Sequence, residues 1–366
     1  MDRRTALKLI AGSTVISARG LAEATQQRPL GVALMGLGNY STTELAPALQ
    51  LTRFAKLLGI ITGSPEKIPE WQKTYSIPDQ NVYSYERLDE IANNPEIDIV
   101  YNVLPPGLHA EFSIRAAQAG KHVICEKPMA ASVAECDAMI EAAKKAGVTL
   151  HIGYRLHWDP FHKRMMEVSA GKELGSLKTL DAAFSYRMTT TPPGHWQLSK
   201  KLGIAGQLYN LGTYPIQAAL YVARENPIRV TATSHNSRPE MFKEVAEGYA
   251  WEFEFPSGLK STGFASGRED RNELSAVAER GAYALDHKAY SYRGIGGHVN
   301  GARMDFPTIN QQAHQIDGIC QSIMNRTASL VPGEMGRRDT ILLEAIMRAA
   351  ETGKSVEIGD LGYPVA

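Results

Sequence analysis

Lys127 stands in the run Lys121-His122-Val123-Ile124-Cys125-Glu126-Lys127-Pro128-Met129, directly after an apolar, strand-like stretch and before a proline. A lysine held in this way aims its ammonium at one place, and burial and neighbouring charge readily tune that ammonium. A second reactive candidate ends the segment Gly206-Gln207-Leu208-Tyr209-Asn210-Leu211-Gly212-Thr213-Tyr214, which leads into the helical pattern Pro215 to Ala223. If that helix reaches back to Tyr209, Asn210 and Tyr214 lie four apart on one face. A tyrosine hydroxyl beside a lysine ammonium can carry a proton, because positive charge stabilises the phenolate. Taken alone, Lys127 could equally be a surface lysine paired with Glu126, and Tyr214 a core tyrosine with a satisfied hydroxyl.

The elements upstream favour the chemical reading. Leu30-Gly31-Val32-Ala33-Leu34-Met35 runs into Gly36-Leu37-Gly38-Asn39-Tyr40-Ser41. A continuous apolar run ending in Gly-x-Gly reads as a buried parallel strand turning into a helix whose first amides hold a phosphate. Ser41 occupies the third glycine position of the dinucleotide fingerprint, where a small serine can replace the glycine. A second strand, Ala55 to Ile61, ends in Thr62-Gly63-Ser64-Pro65-Glu66-Lys67. Hydroxyls and a lysine where NAD enzymes place a carboxylate favour NADP, since they suit a 2'-phosphate; Glu66 comes a few residues too late.

Strand–helix alternation continues through Ile97 to Leu104, Ala110 to Ala119, His122 to Cys125, Ser132 to Lys145 and Thr149 to Tyr154. This pattern gives a doubly wound parallel sheet, with the ligand beyond the carboxyl ends of its strands. Leu104-Pro105 and Glu126-Lys127-Pro128 both fall at such ends. Beyond residue 150 the pattern changes to strand candidates at Leu177 to Tyr186, Ile228 to His235, Tyr249 to Phe255, Ser261 to Ser266, Leu274 to Glu279 and Ala282 to Asp286. Turn signals such as Pro256-Ser257-Gly258 between them imply an antiparallel sheet. Apolar spacing marks helices over Gln311 to Asn325 and Arg338 to Glu351. The expected architecture is α/β joined to α+β: a Rossmann domain over residues 29–150, then a substrate and oligomerisation domain over 151–366 with a large, open, mostly antiparallel sheet.

At 366 residues, with 39 basic and 39 acidic side chains, the chain has room for two domains and no charge excess toward nucleic acid or a membrane surface. Residues 1–28 read separately. Arg3-Arg4 opens a charged head, Leu9 to Ala18 is a short apolar run, and Ala22-Glu23-Ala24 offers a cleavage site. The run is too short to span a bilayer, and the paired arginines are a twin-arginine export address, with a disordered basic tail of a cytosolic protein as the alternative. Cys125, Cys136 and Cys320 fit no disulfide or metal spacing and read as small buried hydrophobes. His109, His151, His157 and His162 read as polar packing or rim residues, and no metal site is expected.

These stretches together resemble the glucose-fructose oxidoreductase family, within the wider superfamily of sugar and inositol dehydrogenases. The likeness is carried by Gly36-Leu37-Gly38-Asn39-Tyr40, Gly63 with Lys67, Leu104-Pro105, Leu108-His109-Ala110-Glu111-Phe112, Ala119 to Val123, Cys125 to Met129, Gly153-Tyr154-Arg155, Trp196 and Leu211 to Tyr214. The resemblance implies that Lys127 holds the reacting sugar hydroxyl and Tyr214 is the acid–base residue. It also implies that Thr62, Ser64 and Lys67 approach the 2'-phosphate of NADP. Tyr85, Leu104, Pro105, His109, Glu126, Arg155 and Trp196 would enclose the cofactor with the glycine loop, and Arg155, His195 and Asn210 would join Lys127 and Tyr214 around the sugar. Most of the superfamily has histidine at the place of Tyr214, so tyrosine points to the oxidoreductase branch. Asn210 replaces the usual aspartate and removes a charge from the site.

The expected reaction is hydride loss from C1 of an aldose, giving the aldonolactone. No soluble nicotinamide pool exists in the periplasm, so the expectation is tightly bound NADP, reoxidised in place by fructose or a second aldose in a ping-pong cycle. The acceptor range leans toward aldoses, as in an aldose-aldose oxidoreductase. A homodimer or homotetramer is expected on the same resemblance. The alternatives are a dehydrogenase with exchanging NADP, a non-catalytic sugar-binding protein, and cofactor-dependent glycoside hydrolysis.

Overall fold

The computed structural model describes residues 28–365. Except for Arg28, the export-signal segment lies outside the described residues.

Six strands form the first sheet: β1 Leu30–Met35, β2 Ala55–Ile61, β3 Val82–Tyr83, β4 Ile99–Asn102, β5 His122–Cys125 and β6 Leu150–Ile152. Their spatial order is β3-β2-β1-β4-β5-β6, and every pairing is parallel. Val32 to Met35 are fully buried, as a strand covered by helices on both faces must be. The order reverses between β1 and β4, so the crevice for a ligand opens beyond their carboxyl ends.

The second sheet has nine strands. They are β7 Leu177–Ser185, β8 Arg229–His235, β9 Gly248–Glu254, β10 Lys260–Ser266, β11 Arg271–Ala278, β12 Gly281–Asp286, β13 Gly296–Val299, β14 Ala302–Arg303 and β15 Val356–Glu357. Their order is β14-β13-β12-β11-β7-β10-β9-β8-β15, antiparallel except where β10 lies parallel to β7. Every residue of the helix Thr213–Ala223 is buried, which explains its nearly continuous apolar sequence.

One helix crosses back over the expected boundary at residue 150. Helix Gln311–Asn325 returns to the first domain, where Ile316, Ile319 and Cys320 join its core. There the Asp317 carboxylate accepts from the backbone amides of Arg53 and Phe54 at 2.9 Å. The last helix begins at Gly333, five residues before the expected Arg338. Gly333 and Gly336, in the first turn of that helix, serve close packing: a Cβ on Gly336 would fall 2.8 Å from the Met129 Cβ. Strands β3, β14 and β15 escape sequence reading because they are two residues long, and β13 because it opens on Gly296-Gly297 and shows no apolar run. All three cysteines are free and buried, and burial pushes the Cys136 and Cys320 thiols up to about 12. Among the described residues, no helix is long and apolar enough to cross a membrane.

Candidate active site

A cleft of about 670 Å³ lies across the carboxyl ends of the first sheet, a size suited to an extended small ligand. Its first wall is the loop after β1. Gly36 has φ +94°, which favours glycine, and a Cβ there would press on Leu104 Cδ2 at 3.0 Å and the Val103 carbonyl at 3.2 Å. Ser41, fully buried at the third glycine position, donates its hydroxyl to the Gly36 carbonyl at 2.5 Å. The departure from the fingerprint thereby fastens the loop to the helix it opens. A Cβ on Gly38 would meet nothing within 4 Å, so the backbone there is open to a phosphate group, as dinucleotide binding requires.

The next wall follows β2. Thr62, Ser64 and Lys67 line the cleft. Lys67 donates its ammonium to the Leu37 carbonyl at 2.8 Å and so bridges the glycine loop and the end of β2. Gly63 lets the Tyr85 ring approach, since a Cβ at Gly63 would sit 2.8 Å from Tyr85 Cε2. Tyr85, packed on Phe112 with ring centroids 5.3 Å apart, shapes this end of the cleft. No carboxylate of this segment lines the cleft. Glu66 is exposed outside it. The set fits an adenosine 2'-phosphate. Replacing Lys67 by alanine is therefore expected to weaken NADP binding about tenfold, by loss of one charge-assisted contact, and to leave NAD binding unchanged. Dissociation constants for both nucleotides, measured by fluorescence titration, would check this.

At the other end, β5 delivers Glu126 and Lys127, and the Lys127–Pro128 peptide bond is cis. Glu126 is buried; burial pushes its carboxyl up, opposed by the Lys127 charge and a hydrogen bond from Tyr101 at 2.8 Å. Gln315 donates to the same Tyr101 oxygen at 2.8 Å, which ties the returning helix to the site. Gly153 makes room, because a Cβ there would overlap the Glu126 carboxylate at 2.4 Å.

The Lys127 ammonium donates to the Asn210 backbone carbonyl at 2.6 Å and lies 4.5 Å from the centre of the Tyr214 ring. A π-helical turn over Leu208–Gly212 precedes the helix from Thr213. Pro215 has no N–H for the carbonyl of Leu211, four residues back, or of Asn210, five back, as α and π bonding would require. Lysine is the donor that the Asn210 carbonyl finds instead. The Asn210 side-chain amide turns to Gln207 at 3.2 Å.

Behind Tyr214 lies Arg155, 2 % exposed. Its Nε donates weakly to the Tyr214 hydroxyl at 3.4 Å, and its guanidinium stacks 4.8 Å from the Tyr214 ring and 4.6 Å from that of Tyr292. Gln311 and the carbonyls of Tyr290 and Ser291 hold the remaining guanidinium N–H groups. Burial works against this charge, while the Tyr214, Tyr292 and Tyr40 oxygens hold it in place. The site thus has two cations converging on one phenol, beside a loop open to phosphate.

The family comparisons agree with this geometry. Residues 30–154 match the model of the oxidoreductase family with an NAD-binding Rossmann fold, and residues 162–283 match the GFO/IDH/MocA C-terminal domain. The crystal structure of an aldose-aldose oxidoreductase from Caulobacter crescentus, complexed with glycerol, is 34% identical, with a TM-score of 0.87 over 90% of this chain and 100% of that one. The chain belongs to the GFO/IDH/MocA oxidoreductase family. The D-xylose 1-dehydrogenase [NADP(+)] of Haloarcula marismortui is 23% identical over 345 residues, 90% of this chain and 93% of that protein. A levoglucosan dehydrogenase in complex with NADH and levoglucosan shares the fold, with 19% identity and a TM-score of 0.77 over 91% of this chain and 100% of that one.

As a GFO/IDH/MocA protein the chain is an oxidoreductase using a nicotinamide dinucleotide, and the structure places its expected site residues in two layers. Leu37, Asn39, Tyr40, Leu104, Pro105 and Trp196 line the cleft, as do His195, Asn210, Lys127 and Tyr214. Gly63 and Arg155 stand one layer behind, supporting Tyr85 and Tyr214. His109 does not reach the cleft. Its ring is buried between the Leu104 carbonyl at 2.6 Å and the Pro128 carbonyl at 2.8 Å, joining two cleft segments from behind. Burial pushes it down to about 4, opposed by the hydrogen bonds to the Pro128 and Leu104 carbonyls.

Sequence reading missed Tyr292, Tyr186, Thr190 and Gln197, which line the cleft, and Gln311, which holds Arg155. Of these only Thr190 lies in the irregular stretch from Arg187 to His195, and none carries a period or motif that marks it in sequence.

Proposed function

We propose that this protein is a periplasmic sugar oxidoreductase with tightly held NADP. It oxidises an aldose at C1 to the aldonolactone and then reduces a second aldose or fructose to its alditol in a ping-pong cycle. The observation that carries the reading is the convergence of Lys127 and Arg155 on Tyr214 at the end of a dinucleotide cleft. The 34% identity to an aldose-aldose oxidoreductase supports the sugar substrates. Arg3-Arg4 supports export by the twin-arginine route. Assembly into a homodimer or homotetramer through the open face of the nine-stranded sheet belongs to the same proposal.

When bound, NADP supplies the hydride acceptor for C1 and, once reduced, the hydride donor for the second sugar. The protein's part is protonic and electrostatic. The Tyr214 oxygen takes the C1 hydroxyl proton in the first half of the cycle and returns a proton to the acceptor's carbonyl oxygen in the second. Lys127, fixed by the Asn210 carbonyl, stabilises negative charge on the reacting oxygen. Arg155 is a permanent charge behind Tyr214 that no substrate displaces.

Extensively dialysed protein should show absorbance growing at 340 nm when glucose alone is added, and losing it when a second sugar follows. No band without added NADP, but steady turnover with it, would leave a dehydrogenase with exchanging cofactor.

A further inference from the structure

Gly336 lies in the first turn of the last helix, Gly333–Thr352, with a φ outside the left-handed region. Alanine forms helix better than glycine, so the backbone gives no reason for glycine at this place. The reason is space. An added Cβ would fall 2.8 Å from both the Cβ and the Sδ of Met129, and 3.0 Å from Ile152 Cγ1. Met129 stands two residues after Lys127. Three residues beyond Gly336, on the same face of the helix, is Asp339, 1 % exposed. Arg338 Nε donates to its Oδ1 at 3.0 Å, and its Oδ2 accepts from Gln217 Nε2 at 3.1 Å. Gln217 follows Tyr214 by three residues on the helix Thr213–Ala223, so the two share a face. One turn of the last helix thus touches the segments that carry both reacting groups, although Lys127 belongs to the first domain and Tyr214 to the second.

We propose that Gly336 and Asp339 are positioning residues that set the spacing between Lys127 and Tyr214, the first by seating Met129 and the second by holding Gln217. The inference rests on the roles proposed above for Lys127 and Tyr214. The helix suits this task because it belongs to both cores: Met335 packs in the first, Leu342 and Leu343 in the second. It also holds the far end of the Lys127 loop, where the Val133 amide donates to Glu344 Oε1 at 2.9 Å. Two bonds join the catalytic segments directly, from Lys127 to the Asn210 carbonyl and from the Tyr209 hydroxyl to the Ala131 carbonyl at 3.0 Å. Both reach the Tyr214 side through the π-helical turn Leu208–Gly212, upstream of the helix, whereas Gln217 lies within the helix itself. Two groups acting on one oxygen must be held within about 0.5 Å of the productive arrangement, and the packed turn Gly336 to Asp339 supplies that constraint from behind.

The test makes Gly336→Ala and Gln217→Met separately in the full-length holoenzyme; the second removes the partner of Asp339 while leaving the Arg338–Asp339 pair intact. Crystal structures of both variants are expected to show the Lys127 ammonium displaced from the Tyr214 ring by about 0.5 Å or more relative to the natural protein. Hydride transfer from saturating glucose, followed by stopped flow, should slow about tenfold in each, with sugar KM and NADP content little changed, because a misplacement of about 1 Å can cost a hundredfold. In a Tyr214→Phe background, Gln217→Met should add less than about a twofold loss, since it acts through the phenol that is already gone. An unchanged spacing in either folded variant would overturn the proposal and leave the direct bonds through Asn210 and Ala131 to set the distance. So would a tenfold loss that recurs undiminished in the Tyr214→Phe background, the mark of a merely smaller folded fraction. Should Gly336→Ala fail to fold, Gln217→Met decides on the same readouts. If the natural protein transfers no hydride, the proposed reaction falls, while the Lys127 to Tyr214 distance in the variants still decides the positioning role.

Discussion

Replacing Tyr214 by phenylalanine is expected to lower kcat about a thousandfold, in both the oxidising and the reducing half of the cycle, because one hydroxyl carries the proton in each direction. The protein should remain folded. The Tyr214 ring packs edge-on against Phe184 at 5.4 Å and in a tilted arrangement against Tyr290 at 6.0 Å between centroids, and phenylalanine preserves both contacts. The hydroxyl itself receives one long hydrogen bond, 3.4 Å from Arg155 Nε, so its removal costs little stability. A stopped-flow trace of each half-reaction, with thermal unfolding as control, would check this. A variant retaining more than about a tenth of the natural rate would remove Tyr214 from the proton path.

Lys127→Met should cost about a hundred- to a thousandfold in kcat/KM, the usual effect of deleting one preorganised charge at a developing oxyanion. Here the sugar KM should rise as well, since the ammonium also holds the substrate oxygen. The split differs from that of Tyr214→Phe, whose effect falls on kcat. Methionine keeps the unbranched apolar stem of the side chain but leaves the Asn210 carbonyl without the donor now 2.6 Å away. The combined variant should be little worse than the more damaging single one, because the two groups act on the same oxygen. Steady-state kinetics on the three proteins decides this, and fully additive losses would mean that Lys127 and Tyr214 act at different steps.

The sequence by itself determined the first sheet apart from the two-residue β3, the glycine loop and the two residues on which these predictions rest. Strands such as Val32 to Met35, buried on both faces, leave an uninterrupted apolar run, and Gly36 is required by its own backbone. Lys127 and Tyr214 were legible because each sits at the junction of a periodic element with a short, distinctive motif. The lack of an acid after β2 is likewise a local fact, read from Thr62 to Lys67.

Tertiary structure alone decided what holds those groups. Arg155 reaches Tyr214 from 59 positions away and is held by Gln311 from 156. Helix Gln311–Asn325 sits in the core of a domain from which its place in the chain separates it, and His109 serves as a strut between two carbonyls rather than as a cleft residue. Asn210 contributes its carbonyl to Lys127, while its side chain turns to Gln207. Patterns of period two or 3.6 record which face of an element is buried, but not its partner. That choice sums many weak, shape-dependent contacts between distant segments, and it appears only when the surfaces meet.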